Sequence, residues 1–410
     1  MTKEQRLDTL RIACLFMTYP MPLQPWAISN VQAHEANGHQ VDVYALRGRQ
    51  PDHAETVRRY RLDLPAVAHP SRETAAAIAS PRNWGMALYV LGLILRHLWR
   101  RPEELAKSVI LLPRVVEICA RLRDDPPDVV HAFWGHYPSM VLLAGARFFP
   151  SVHRSLFLGN YDLLPRPFGL SGRAAAIADS IWTATEANLP LIASLGVSTD
   201  RVTIAHWGVP LDLADQAPVD RVPGRICTAS NFQKEKNIDL VIRAFALVAA
   251  ERPEASLVIA GDGAERQALE ALTATLGLVD RVTFTGLLTR ERLFSELRQA
   301  EVFLFLSTKA TERLPNAVME AMLAEAFCIV SRTDDIEKLI IDNSTGQVVD
   351  QLAPEAVAPV VISALDDPQR AACGRRASDL VRNKFSVNAM MGVYTSGWQR
   401  GQKQRRAGDR

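Results

Sequence analysis

The first clear pattern in the chain is a short apolar run at 11–17, Arg-Ile-Ala-Cys-Leu-Phe-Met, which ends in the turn-rich segment 18–23. Helical spacing follows over 27–36 and stops at Asn37-Gly38, a pair suited to a helix C-terminus. Residues 39–45 then alternate as a strand does. Strand, helix and strand in this order form a βαβ unit, and so part of a parallel sheet.

Further short strands are predicted at 129–133, 155–158, 180–184 and 202–205, with helical stretches between most of them. The segment 1–206 therefore reads as one doubly wound, Rossmann-like domain. Residues 207–224 hold Pro210, Pro218 and Pro223 with little periodicity and are expected to be a linker. A second α/β series follows, with strands at 225–230, 256–260, 282–285, 302–306 and 328–331. Helices fit 238–250, 265–276, 290–300 and 316–324 between them. The second domain is set at 225–384. A helix at 385–400 is expected to pack back on the first domain, and the basic tail 401–410 is expected to be disordered. Two such domains predict a cleft between them, and open α/β sheets bind ligands beyond the C-terminal ends of their strands.

Composition narrows this little. Hydrophobic residues make up 48% of the 410 residues and charged residues 22%, ordinary for a globular protein. The net charge of +2 gives no global argument for nucleic acid as a partner. Five scattered cysteines without a C-x-x-C pair read as reduced core thiols, neither a disulfide framework nor a metal site. The polar start, 1–10, argues against a secretory signal, so a cytoplasmic address is expected. No apolar run reaches spanning length. The nearest, 84–99, is broken by Arg96 and His97.

The sharpest local chemistry is Thr311-Glu-Arg-Leu-Pro-Asn-Ala-Val-Met-Glu-Ala-Met322. Pro315 suits a first helical turn, where its missing N–H costs nothing. Glu312 then falls in the loop after the strand at 302–306, and Glu320 on the helix that follows. The helix start offers the amides of Asn316 and Ala317 and a positive dipole end to a diphosphate. A carboxylate in the loop can accept from sugar hydroxyls, and one further along can take two ribose hydroxyls.

These residues resemble the donor-site signature of retaining GT-B glycosyltransferases, the "glycosyl transferases group 1" family. Ser230-Asn-Phe-Gln-Lys-Glu-Lys-Asn-Ile-Asp-Leu240 resembles the family's first donor loop. Leu257-Val-Ile-Ala-Gly-Asp-Gly263, Val282-Thr-Phe-Thr-Gly286 and Ile340-Ile-Asp-Asn-Ser-Thr-Gly346 stand in the expected places. The resemblance runs from about 226 to 350. It implies two Rossmann-like domains of GT-B type, with Glu312 and Lys236 as catalytic residues. Glu312 would hold the donor sugar and Lys236 the diphosphate. Asn231, Gly286, Leu287, Leu288, Leu314, Pro315, Asn316, Ala317 and Glu320 would line the rest of the donor site. It implies a nucleotide sugar as co-substrate, UDP- or GDP-linked, with no metal and no other cofactor. A glycan or lipid-linked acceptor would be served in polysaccharide or glycoconjugate biosynthesis. On the acceptor side, Trp26, His136, Asn160, Tyr161 and Asp162 fall in first-domain loops.

Departures from the family pattern keep a second reading open, a degenerate GT-B protein that binds without turnover. Asn231 stands where the family usually has arginine, and Glu325 and Asp334-Asp335 where it has glycines. Two carboxylates near a diphosphate would repel it unless they point away. The helix at 84–101 also has two readings, a buried core helix or an interfacial one giving peripheral contact with the inner membrane face.

Overall fold

The computed structural model describes residues 9–20, 25–48, 68–214, 219–309 and 312–408, with 25, 26 and 402–408 described by backbone alone. The chain divides into two compact units, Met1–His206 with Met390–Arg410, and Trp207–Ala389.

The first unit holds a parallel six-stranded sheet of β1 (Arg11–Phe16), β2 (Gln40–Ala45), β3 (Val129–Phe133), β4 (His153–Phe157), β5 (Ser180–Thr183) and β6 (Val202–Ile204). Their spatial order is β2-β1-β3-β4-β5-β6. Ile12 of β1 lies opposite Val41 on one side and Val129 on the other. β3 is buried along its whole length, as a strand covered on both faces must be. That is why its sequence is a near-continuous apolar run, where a half-exposed strand would alternate.

The second unit repeats the plan with β7 (Arg225–Ala229), β8 (Ser256–Ala260), β9 (Val282–Gly286), β10 (Val302–Phe305), β11 (Phe327–Ser331) and β12 (Gly346–Val349). Their order is β12-β11-β10-β7-β8-β9. Renumbered within the unit this is 3-2-1-4-5-6, the dinucleotide-binding order, whose reversal point lies between β7 and β10. The strand β12 and the helices Pro354–Asp366 and Arg370–Lys384 were not among the expected elements. β12 is only four residues, Gly-Gln-Val-Val, too short to show a period.

The expected linker is not a free connection. Val209 and Leu213 are buried in the second unit's core. Val209 exchanges backbone hydrogen bonds with the chain at Phe385 and Val387, at 2.9 and 3.1 Å. Gly208 is required there, because a Cβ would sit 2.5 Å from the Ser386 carbonyl. The prolines suppressed the periodicity that marks packed structure. The disordered tail is also corrected. The last helix runs Val387–Gly408, and Gln402, Lys403, Gln404, Arg405 and Arg406 are strong helix formers that continue it.

Candidate functional site

The two chain segments that flank the reversal point in the second unit meet in one ion pair. After β7 the chain makes a single tight turn, Lys234–Lys236, which ends with Asn237 in the left-handed region at φ 50°. Asn237 tolerates that conformation better than a branched residue would. Its side-chain amide donates to Leu306 O at 2.8 Å, and Thr308 N donates to Glu235 O at 2.8 Å. These bonds fasten the turn to the end of β10. Lys236 is thereby buried, and its Nζ forms an ion pair with Glu312 Oε2. The ammonium also lies 5.2 Å from the centre of the Phe305 ring. Ser307 Oγ donates to the same Glu312 oxygen at 3.4 Å, and its carbonyl accepts from Ser331 Oγ at 2.6 Å. Phe305 and Ser307 were not legible as site residues, because the segment that carries them reads simply as the end of a strand.

The helix Asn316–Leu323 starts immediately beyond. Pro315 caps it and is not its first residue. Its carbonyl accepts the first helical bonds, from Val318 and Met319 N at 3.1 Å each. The amides of Asn316 and Ala317 precede those bonds and have no backbone acceptor in the helix, as at any helix start. Leu314 is buried in the core and fixes the loop.

Glu320, half-buried, projects from this helix near Arg290. Burial pushes its carboxyl up to about 7, with the Arg290 charge pulling the other way. Arg290 is held by Asp212, at 3.0 and 2.8 Å, and by Pro210 O at 2.9 Å. Gly286 takes φ 68° and its carbonyl accepts from Gly261 N at 3.0 Å. Beyond it Leu287 is exposed, while Leu288 packs on the core. Asn231 is half-buried, and its carbonyl accepts from Gln233 N at 3.0 Å.

The feared repulsion from Asp334 and Asp335 is answered by local cations. Asp334 pairs with Arg313 at 3.5 Å and Asp335 with Lys338 at 3.2 Å. Asp335, at φ 64°, and Glu325, at φ 60°, both occupy left-handed positions where glycine is the usual choice. Glu325 follows the helix end, and its N–H bonds to Met322 O at 2.9 Å while Ala326 N bonds to Ala321 O at 3.0 Å. Glu325 and Asp335 therefore each hold a left-handed conformation at a cost of roughly 1–2 kcal/mol.

In the first unit the loops after β3 and β4 come together. Trp134, at φ 112°, lies against Gly159, where a Cβ would come within 2.4 Å of its ring. Tyr161 meets Trp134 edge-on, with ring centroids 6.1 Å apart, and is exposed. Asn160 begins the short helix Asn160–Leu163. Asp162 does not lie open to an acceptor. It is buried, and its carboxylate accepts from Gly159 N at 2.9 Å, capping that helix. Burial pushes Asp162 up to about 8, against the pull of the Gly159, Gly135 and His136 amides. Its role is to tie the two loops together. His136 is half-buried and pushed down to about 4 by burial, with Arg47 adding. His131 belongs to the core, as its position inside an apolar strand implied. Trp26 lies outside the described side chains.

The two Rossmann-like units make this a GT-B fold. Crystal structures agree with that class. HepE from Anabaena, solved with UDP and glucose, superposes with a TM-score of 0.67 over 94% of this chain and 98% of its own, at 15% identity. Sucrose-phosphate synthase from Thermosynechococcus elongatus gives 0.64 over 97% and 99%, at 19% identity. Residues 216–380 match the family model described as Glycosyl transferases group 1. Among curated relatives, alpha-D-kanosaminyltransferase of Streptomyces kanamyceticus is 31% identical over 185 residues, 44% of this chain and 46% of that protein. The lipopolysaccharide core biosynthesis glycosyltransferase LpsD of Rhizobium meliloti is 27% identical over 289 residues, 68% and 77% of the two chains. The match thus spans less than half of the first relative and more than two thirds of the second.

Proposed function

We propose that the protein is a retaining glycosyltransferase that moves a sugar from a UDP- or GDP-sugar to a glycan or lipid-linked acceptor. The observation that carries this reading is the Lys236–Glu312 pair at the reversal point of the second sheet, directly before a helix N-terminus. Fixed positive charge beside a helix start is what a departing nucleotide diphosphate needs. In this reading Lys236 exchanges its partner, Glu312, for the diphosphate, and Glu312 turns to the sugar hydroxyls. Glu320 takes the ribose, and Gly286, Leu287 and Leu288 lie against the base. Lys236 and the helix amides neutralise the leaving group, so no metal is needed. UDP in the HepE structure supports a nucleotide donor, and the lipopolysaccharide role named for LpsD supports a glycoconjugate product.

The test is incubation with a panel of UDP- and GDP-sugars and extracted lipid-linked glycans, reading nucleotide release and product anomeric configuration. Release with one donor and an α product from an α donor supports the reading. Tight donor binding with no release at any acceptor would replace it with the non-catalytic alternative.

A further inference from the structure

The first unit carries an exposed apolar face that the donor site does not use. The helix Trp84–Leu98 buries Met86, Val90, Ile94 and Leu98 against the core. Trp84, Leu88 and Leu95 lie on its opposite side, and Trp99 just past its end continues their stripe, since these four positions fall within about 60° at helical spacing. All four are exposed, Leu88 to 68% and Trp99 to 63%. Val109 and Ile110 on the next helix, Pro102–Asp124, are exposed as well, Ile110 to 76%.

The charges around this face are mainly positive. Residues 81–110 hold five basic residues against two acidic ones, more net positive charge than the whole chain carries. Both acids are neutralised locally, Glu103 by Lys107 and Glu104 by Arg101 and Arg166. Among the described residues Arg96 and Arg100 have no ion-pair partner, and Arg100 lies over the Trp99 ring at 4.5 Å.

We infer that this face docks on an anionic lipid bilayer. A second copy of the chain would need an acidic counterpart for Arg96 and Arg100, whereas an anionic headgroup layer supplies one everywhere. The helix is about 22 Å long, short of the roughly 30 Å hydrocarbon core, so it lies in the interface instead of crossing it. Trp84 and Trp99 sit at its two ends, at headgroup depth, with Leu88 and Leu95 entering the acyl boundary between them. The arginines face the phosphates. Nothing in this surface depends on the donor-site assignment.

The experiment is cosedimentation of the full chain with vesicles of phosphatidylcholine alone and of phosphatidylcholine with one third phosphatidylglycerol. Binding is expected to the anionic vesicles, to weaken with salt, and to fall at least tenfold in Leu88→Glu/Leu95→Glu. Arg96→Gln/Arg100→Gln, altered only in exposed side chains, should lose about tenfold on anionic vesicles and serves if the first variant unfolds. Undiminished binding by a folded variant overturns the proposal. So does a wild-type dimer in sedimentation equilibrium that either variant converts to monomer, with no vesicle binding by the wild type.

Discussion

Lys236 Nζ and Glu312 Oε2 form an ion pair across the reversal point of the second sheet, joining the turn after β7 to the loop after β10. The lysine is buried and the glutamate largely so, and the aromatic face of Phe305 lies beneath the ammonium. A buried cation with a single carboxylate partner is held in place but not saturated, since an ammonium has three donors. An arriving diphosphate can compete for it. In the proposed reading the pair stands in for the diphosphate and keeps Lys236 oriented.

The two partners should fail differently. Glu312→Gln frees Lys236 for the diphosphate, so nucleotide affinity should hold or rise while kcat falls roughly a hundredfold. Lys236→Ala removes a charged contact in both ground and transition states and should weaken nucleotide binding about tenfold or more, as well as kcat. Calorimetric titration with the nucleoside diphosphate, together with initial rates, separates them. Equal loss of affinity in both variants would contradict the exchange of partners.

Transfer should persist in excess EDTA. In the proposed reading the positive charge at the leaving group comes from Lys236 and the amides of Asn316 and Ala317, which leaves chelation nothing to remove. Complete loss in EDTA, restored by Mn²⁺ or Mg²⁺, would show that these groups do not suffice.

The sequence carried the alternation of strands and helices because parallel strands buried on both faces are short apolar runs with turns between them. It carried the helix start near residue 316 because Glu312, Asn316 and Glu320 are local to one loop and helix. It did not carry what tertiary structure assembles. The pairing of Lys236 with Glu312 spans 76 positions. Asp162 looked like an open loop residue, yet its carboxylate is consumed by a helix cap. The stretch 207–224 looked like a linker because its prolines mask the burial of Val209 and Leu213.

A further relationship was invisible for the same reason. Ser155 Oγ is a saturated hydroxyl, accepting from Trp182 Nε1 at 2.8 Å and Trp398 Nε1 at 2.9 Å while lying 2.7 Å from His131 Nδ1. All three partners are buried, and burial pushes His131 down to about 3, so it stays neutral. Ser155→Ala leaves two indole N–H groups and a ring nitrogen without partners. The expected cost is about 2–4 kcal/mol, read as a lower urea midpoint at unchanged slope. A change below about 0.5 kcal/mol would mean the C-terminal helix is not held through this hydroxyl.

In the proposed reading Glu320 makes donor binding depend on pH. Its carboxyl is pushed up to about 7, so the unliganded protein holds a proton there that the unfolded chain releases near 4.5. Between those values the folded state binds more protons, and stability falls as pH rises through that window. The proposed ribose contact has the opposite demand, because a carboxylate accepts from both hydroxyls and a neutral acid spends one oxygen as a donor. Affinity for the nucleotide sugar should therefore increase from about pH 5.5 to about pH 8, centred near the shifted value. A sugar nucleotide is the right probe, since its diphosphate is a diester and does not titrate near neutrality. Glu320→Gln should flatten that profile at the weak-binding level, and should raise the melting temperature above wild type at about pH 8 but not at about pH 5. A variant that keeps the wild-type pH profile of binding would place the ribose elsewhere. One that flattens the profile without the stability gain would place the titration in the complex and not in the free protein.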